Sequence, residues 1–307
     1  MLAWLLAQQI AVLFIIIVSG FALVKLGFLK TDDSQILSII CIYLVNPCVI
    51  VYAFQIDYSK NIRDGLLLAF VAAIVIHLIF FIVCWLLQHF FAVDEVERAS
   101  IIYSNAGNLI IPLVVAVLGE DKVIYASAYI AIQNIILWTH GQSLMQGRTG
   151  INWHNILYNV NLIAIWLGII FFFSGFKLPL LLGSAVKTIA SLLGPVSMLI
   201  LGILLAGIKW QDIFMDKRIY MVTAFRMVLC PMLVVLFLKY SGLASMVPDG
   251  LNILVVSLLA ATAPSASMVT QMAQLYGRNA KYASAINVVT TICCIVTMPL
   301  LVLLYQL

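Results

Sequence analysis

The chain has 307 residues, 64% of them hydrophobic and only 9% charged, with a formal net charge of +4 and a mean hydropathy of +1.15. No soluble fold of this length has a core large enough to hide so much apolar surface, and the small positive balance comes from loop lysines and arginines, so it implies no nucleic-acid partner. The composition predicts an all-α polytopic membrane protein, in which each spanning helix needs about 20 mostly apolar residues.

In chain order, spans are predicted at 2–24, 34–54, 66–88, 99–118, 123–144, 156–174, 186–208, 219–241, 250–273 and 281–305. The first has no basic leader, is longer than a signal-peptide apolar region and lacks a small-residue cleavage site, so it is expected to be a true helix. The connections are short and polar, as in "DYSKNIRDG" (57–65), "VDEVER" (93–98) and "KWQDIFMDKR" (209–218), which leaves no room for a soluble domain. Lys25, Lys30, Arg98, Arg148, Lys209, Lys217, Arg218, Arg278 and Lys281 fall on one side of the membrane, and Lys60, Arg63, Lys122, Lys177, Lys187 and Lys239 on the other. By the positive-inside rule this bias puts both termini outside the cytoplasm. The six cysteines, Cys41, Cys48, Cys84, Cys230, Cys293 and Cys294, all lie in spans without acidic or histidine partners at ligand spacing, and read as packing residues with no metal bound.

Two spans carry helix-breaking and polar residues at their centres. The fourth contains "NAGNLIIP" (105–112) and the ninth "ATAPSASMVTQ" (261–271). The tetrapeptide "YASA" at 125–128 recurs at 282–285, and the same shift of 157 residues carries Gly107 onto Pro264. With five spans on either side of the 146–155 loop, the halves 1–145 and 156–307 would have opposite orientations. Breaks at membrane depth expose backbone N–H and C=O groups that hydrocarbon cannot satisfy, so matched breaks in inverted halves point to a substrate site near the midplane. The competing reading is structural: proline and glycine are frequent in membrane helices, and Asn or Ser often ties neighbours together at roughly 1 kcal/mol each.

Other polar residues admit two readings apiece. Arg226, inside the eighth span and five residues before Pro231, is either a counter-charge for a carboxylate or a cation that snorkels to the interface, lying about 10 Å deep by helical rise. His77, mid-span in the third helix, is either a proton relay or the donor of one interhelical hydrogen bond. Gln133, Asn134, Gln271, Thr290 and Thr291 read as links between helices or as cavity lining. The sequence has no "HExxH", no "GxSxG" and no P-loop, and its acidic residues are confined to loops and span edges, so no enzyme or ATP-driven pump is expected.

"NPCVIVY" in span 2, "NAGNLIIPLVVAVLG" in span 4, "FRMVLCPML" in span 8 and "ATAPSASMV" in span 9, in this order over essentially the whole length, resemble the auxin efflux carrier family in its bacterial permease branch. The resemblance implies two inverted five-helix repeats like those of bile acid–sodium symporters, with helices 4 and 9 broken and crossing at the substrate site. It further implies a transport domain of helices 3–5 and 8–10 that moves against a scaffold of helices 1, 2, 6 and 7, in a homodimer. Family members carry organic anions, from auxin to malate-like or malonate-like carboxylates; the long central hydrophilic loop of many plant members is missing, so auxin is not the expected cargo. Asn105, Asn108 and Pro112 match the family's helix 4 crossover, Pro264 the helix 9 crossover, and Asn46 with Pro47 the helix 2 stretch facing the site.

The expected protein is therefore an elevator-type secondary carrier of a small organic anion in a bacterial cytoplasmic membrane, with no cofactor and with either a proton or sodium as coupling ion. A sodium-coupled symporter of the bile-acid type and an anion channel are the alternatives. The expected substrate-binding residues are Asn105, Gly107, Asn108, Pro112, Pro264, Ser265, Ser267, Asn46, Pro47 and Arg226, with His77 as the possible relay.

Overall fold

The computed structural model describes residues 2–55, 60–119, 122–147, 158, 160–207 and 216–307. The first part of the chain forms α1 (Leu2–Lys25), α2 (Ser34–Ile40) and α3 (Asn46–Ala53), then α4 (Lys60–Phe91), α5 (Glu95–Ile102), α6 (Ala106–Leu118), α7 (Val123–Ile136) and α8 (Gln142–Gln146). The second comprises α9 (Val160–Ser174), α10 (Leu180–Ala190), α11 (Leu193–Ala206), α12 (Lys217–Ala224), α13 (Cys230–Tyr240), α14 (Gly250–Thr262), α15 (Ser267–Leu275) and α16 (Ala280–Gln306). The helices are apolar because the chain supplies apolar runs with polar residues only at their ends and at a few interior positions. Five of these stretches are long and apolar enough to cross a membrane: Thr31–Tyr52, Arg63–Phe91, Leu180–Ala206, Lys217–Tyr240 and Ala280–Gln306. They match the second, third, seventh, eighth and tenth predicted spans. Residues 148–155 of the expected central loop, residues 156, 157 and 159 at the start of the sixth predicted span, and residues 208–215 beyond α11 lie outside the described residues.

The fourth and ninth predicted spans are each split into two shorter helices. Between α5 and α6 the chain leaves helical geometry at Tyr103–Asn105, and between α14 and α15 at Ala263–Ala266. In the second case the cause is local, because the residue before a proline is disfavoured in the helical region, and Ala263 before Pro264 adopts φ −61°, ψ 153°. In the first there is no proline at the break.

Among the described residues, three helices contain a widened π turn, at Cys41–Val45, Leu137–Gly141 and Phe225–Leu229. Two of these lie immediately ahead of Pro47 and Pro231, each near the start of the following helix. Proline lacks the N–H that would continue the ladder and its ring crowds the preceding turn; adding one residue to that turn relieves the clash without ending the helix.

Glycines set the closest helix contact. A Cβ on Gly20 would stand 2.5 Å from the Leu199 carbonyl oxygen, and one on Gly202 would collide with that of Ile17, so α1 and α11 touch backbone to backbone. Small residues are the usual means of such approach in membranes, where packing is the main attraction between helices. Gly202→Ala should push α1 and α11 apart at a cost of about 1–3 kcal/mol. A lowered melting temperature of the solubilised protein checks this, with Gly194→Ala, where a Cβ meets nothing within 4 Å, as the unaffected control.

The halves of the two broken helices share some neighbours and differ in others. α5, α14 and α15 all pack on α16, α5 and α14 also on α4, and α6 on α7 and α14; α6 and α15 are the halves that also pack on α11, with α6 also against α1 and α15 against α2.

Candidate functional site

The two breaks meet and hydrogen-bond to each other. Ser104 and Ser265 form an antiparallel bridge, in which the Asn105 N–H donates to the Pro264 carbonyl at 2.8 Å and the Ala266 N–H to the Tyr103 carbonyl at 3.0 Å. Each interruption therefore supplies partners for backbone groups that the other leaves without an intrahelical bond, which is what a non-helical segment at membrane depth requires.

Side chains from neighbouring helices complete the accounting. Gln133 on α7 accepts from the Ser104 N–H (3.0 Å) and hydroxyl (2.6 Å) through Oε1 and donates through Nε2 to the Ser104 carbonyl (2.8 Å). On α16, Asn287 Nδ2 donates to the Ser265 carbonyl at 2.5 Å and Thr290 Oγ1 accepts from the Ser265 N–H at 3.2 Å. Tyr103 is anchored by its hydroxyl to His140 Nδ1 at 2.8 Å, with its ring against Gly141 in the π turn. Gln133→Leu removes three bonds to Ser104 and leaves buried groups of the break unpaired, so it should lower stability by about 2–3 kcal/mol. Gln133→Glu, which can still accept both bonds but not donate the third, should fall between the two in a thermal melt.

The break in the fourth span lies earlier than the sequence suggests. α6 runs without interruption from Ala106 through the backbone of Gly107, Asn108 and Pro112, so only Asn105 of "NAGNLIIP" belongs to the break. The register correspondingly departs from the predicted shift. α7 and α16 begin 157 residues apart, at Val123 and Ala280, as the "YASA" pair predicts, but α6 and α15 begin 161 apart, at Ala106 and Ser267. The four-residue difference is taken up by α6, which has 13 residues where α15 has 9. Pro264 thus faces Tyr103–Asn105 and does not correspond to Gly107. The 157-residue shift does carry Gln133 onto Thr290, and both hold a break; that signal was present in the sequence.

Arg226 does not snorkel. It sits in the π turn Phe225–Leu229, is 0% exposed, and lies with its guanidinium 5.1 Å from the centre of the Phe80 ring. Its Nη1 donates to the Ile101 carbonyl (3.0 Å), its Nη2 to those of Ala261 (3.0 Å) and Ala263 (2.8 Å), and its Nε to Ala263 (3.2 Å). These acceptors are the C-terminal ends of α5 and α14, where helix dipoles concentrate negative charge. The opposite ends of the crossover are the N-termini of α6 and α15, where the dipoles favour an anion. There Asn105 stands at the N-cap position of α6 without a side-chain cap bond and, through Oδ1, accepts a long bond of 3.4 Å from the Ser267 hydroxyl at the first position of α15. A Cβ on Gly107 would meet nothing within 4 Å, so the first turn of α6 borders open space.

The remaining expected residues divide. Asn46 is buried and donates to Asn161 Oδ1 on α9 at 2.8 Å, while Asn161 reaches back to the Ile42 carbonyl at 3.2 Å, which ties α9 to the π turn ahead of Pro47. His77 bonds the Ala73 carbonyl through Nδ1 at 2.7 Å and faces the Tyr129 ring at 5.0 Å; its Nε2 has no hydrogen-bond partner among the described residues. Gln271 donates to Ser197 on α11 at 2.9 Å. Thr291 bonds within its own helix to the Asn287 carbonyl at 2.7 Å. The side chains of Asn108 and Pro112 lie outside the described residues. An apolar pocket between α3, α4, α7 and α9, lined by Phe54, Phe70, Ile124, Ser127 and Phe172 among others, contains none of the expected site residues.

Apolar helices, two of them interrupted at a shared polar crossover, define a multi-pass membrane protein. The membrane transport protein family model matches the chain twice, over residues 5–155 and 149–302. The chain belongs to that family, the auxin efflux carriers, and is a membrane transporter. No curated protein matches it.

Proposed function

We propose that this chain is a secondary carrier of a small organic anion, built as ten spans in two inverted five-helix repeats, 1–145 and 156–307. The observation that carries this reading is the division of charge at the crossover: the cation of Arg226 lies at the C-terminal ends of α5 and α14, while the N-terminal ends of α6 and α15 meet beside Asn105 and Ser267. An anion is favoured where helix N-termini converge, and neutral amides and hydroxyls bind it without the cost of a second buried charge. Asn105, Gly107, Asn108, Ser265 and Ser267 would line the site, with Pro112 and Pro264 shaping it and Asn46 with Pro47 closing it from α3. The half-helices α6 and α15 pack on α1, α2 and α11, which suits an elevator movement of α4–α8 with α12–α16 against α1–α3 with α9–α11. The protein would work as a homodimer in a bacterial cytoplasmic membrane with both termini outside.

Proteoliposomes loaded with a panel of unlabelled mono- and dicarboxylates and offered labelled ones, with and without a proton or sodium gradient, test the proposal. Saturable counterflow of one carboxylate supports it, and stimulation by the proton gradient that is lost in His77→Gln would assign His77 the relay role. Single-channel currents without counterflow would replace the carrier with a pore.

A further inference from the structure

The carbonyls of Ile101, Ala261 and Ala263 point at one place from two helix C-termini, and the group they surround is a guanidinium. No carboxylate pairs with Arg226 among the described residues; backbone dipoles and the face of Phe80 surround it. Carbonyls at the C-terminal ends of interrupted membrane helices are the ligands from which carriers build sites for small coupling cations. Here such a cage exists and is already filled by the chain itself.

We infer that the crossover contains a cation site whose permanent occupant is the side chain of Arg226, so that no sodium ion is taken up there during transport. The geometry supports the substitution in detail. Four hydrogen bonds to three carbonyls hold the guanidinium, and it spans both breaks, joining Ile101 before the first to Ala261 and Ala263 at the second. A tethered cation performs the two tasks a bound sodium would perform: it neutralises the converging C-terminal dipoles and locks the two half-helices into one crossover. It cannot dissociate, so the crossover stays assembled with or without an external ion gradient. The inference rests on the carrier reading only for its consequence in transport, because the site itself can be tested by binding.

The experiment is thermal unfolding of the purified full-length protein. Wild type should melt at the same temperature in sodium, potassium or choline chloride at equal ionic strength. Arg226→Ala should melt lower and regain stability saturably with guanidinium chloride added at low millimolar concentration, whereas wild type and Gly202→Ala should gain nothing from the same addition. Arg226→Lys, whose tethered ammonium reaches fewer carbonyls, should lie between and remain indifferent to sodium. A saturable sodium-specific stabilisation of wild type would overturn the inference, as would a melting temperature of Arg226→Ala unmoved by guanidinium. If the alanine variant does not accumulate, the wild-type and lysine melts decide. Failure of the carrier reading would appear separately, as absent counterflow in proteoliposomes while these melting shifts persist.

Discussion

Arg218→Met should lower the melting temperature at neutral pH, and the deficit should shrink on acidification. Glu97, ahead of the fourth predicted span, has a side chain that is 0% exposed; it accepts from Arg218 Nε and Nη2, both at 2.6 Å, and from the Tyr282 hydroxyl at 2.8 Å. It also closes a capping box with Asp94 at the start of α5. Arg218 donates further to the Ala92 carbonyl at 3.1 Å, so the starts of α5, α12 and α16 are fastened together at one end of the bundle. Removing one partner of a buried pair typically costs about 3–5 kcal/mol. Because the arginine is 46% exposed, its contribution is screened, and about 2 kcal/mol, on the order of 5 °C, is the expected loss.

The sign of the pH effect follows from Glu97. Burial alone would raise its pKa, but hydrogen bonds from Arg218, the Asp94 N–H and Tyr282 hold the carboxyl below the usual carboxylate range. In wild type this group therefore contributes stability that is present above the ordinary carboxylate pKa and is lost as the pH falls through its depressed native value. Without Arg218 burial dominates and the carboxyl takes up a proton at higher pH, which removes the uncompensated charge. Melting curves of the two proteins from neutral pH down to about pH 4, near the ordinary glutamate pKa, should converge. A gap that stays constant across that range would show that the lost contact acts through packing of the arginine stem and not through the charge of Glu97.

The sequence and the structure agree where the physics is local. Apolar runs predict membrane helices because the chain has no other way to satisfy its backbone in lipid, and the ninth span breaks where Pro264 forces Ala263 out of the helix. The fourth span misleads for the same reason. Gly107 and Pro112 invite a break between them, yet α6 accommodates both, and the interruption lies at Tyr103–Asn105 because Gln133 and the Pro264 carbonyl provide for it. Those partners come from elsewhere in the chain and leave no local signature. Arg226 is a second case. Its depth along the helix left an interface anchor and a counter-charge for a carboxylate equally open, and the carbonyls that hold it away from the interface belong to residues 101, 261 and 263. Asn161 and Asn287 escaped notice because a single amide in a span looks like any interhelical link until its partner is known.

Asn105→Leu should weaken substrate binding roughly five- to 150-fold, the equivalent of about 1–3 kcal/mol for a ligand group left unpaired in a confined polar site. The reason to expect a binding loss without loss of the fold lies in how the residue is used. The backbone N–H of Asn105 carries the bond to the Pro264 carbonyl, and any residue except proline can supply it. The side chain makes no capping bond to α6; its Oδ1 accepts from the Ser267 hydroxyl at 3.4 Å, and leucine is better tolerated than asparagine next to lipid-like surroundings. Ser267→Ala should behave in the same direction with a smaller effect, since it removes one hydroxyl from the facing half-helix. The measurement is the ligand-induced shift in melting temperature for the carboxylate that shows counterflow. Loss of the shift in Asn105→Leu, with the unliganded melting temperature unchanged, assigns the amide to the substrate. If the unliganded protein is itself destabilised while the shift and the affinity survive, Asn105 belongs to the crossover's own hydrogen bonding and the anion binds elsewhere along the interface of α6 and α15 with α11.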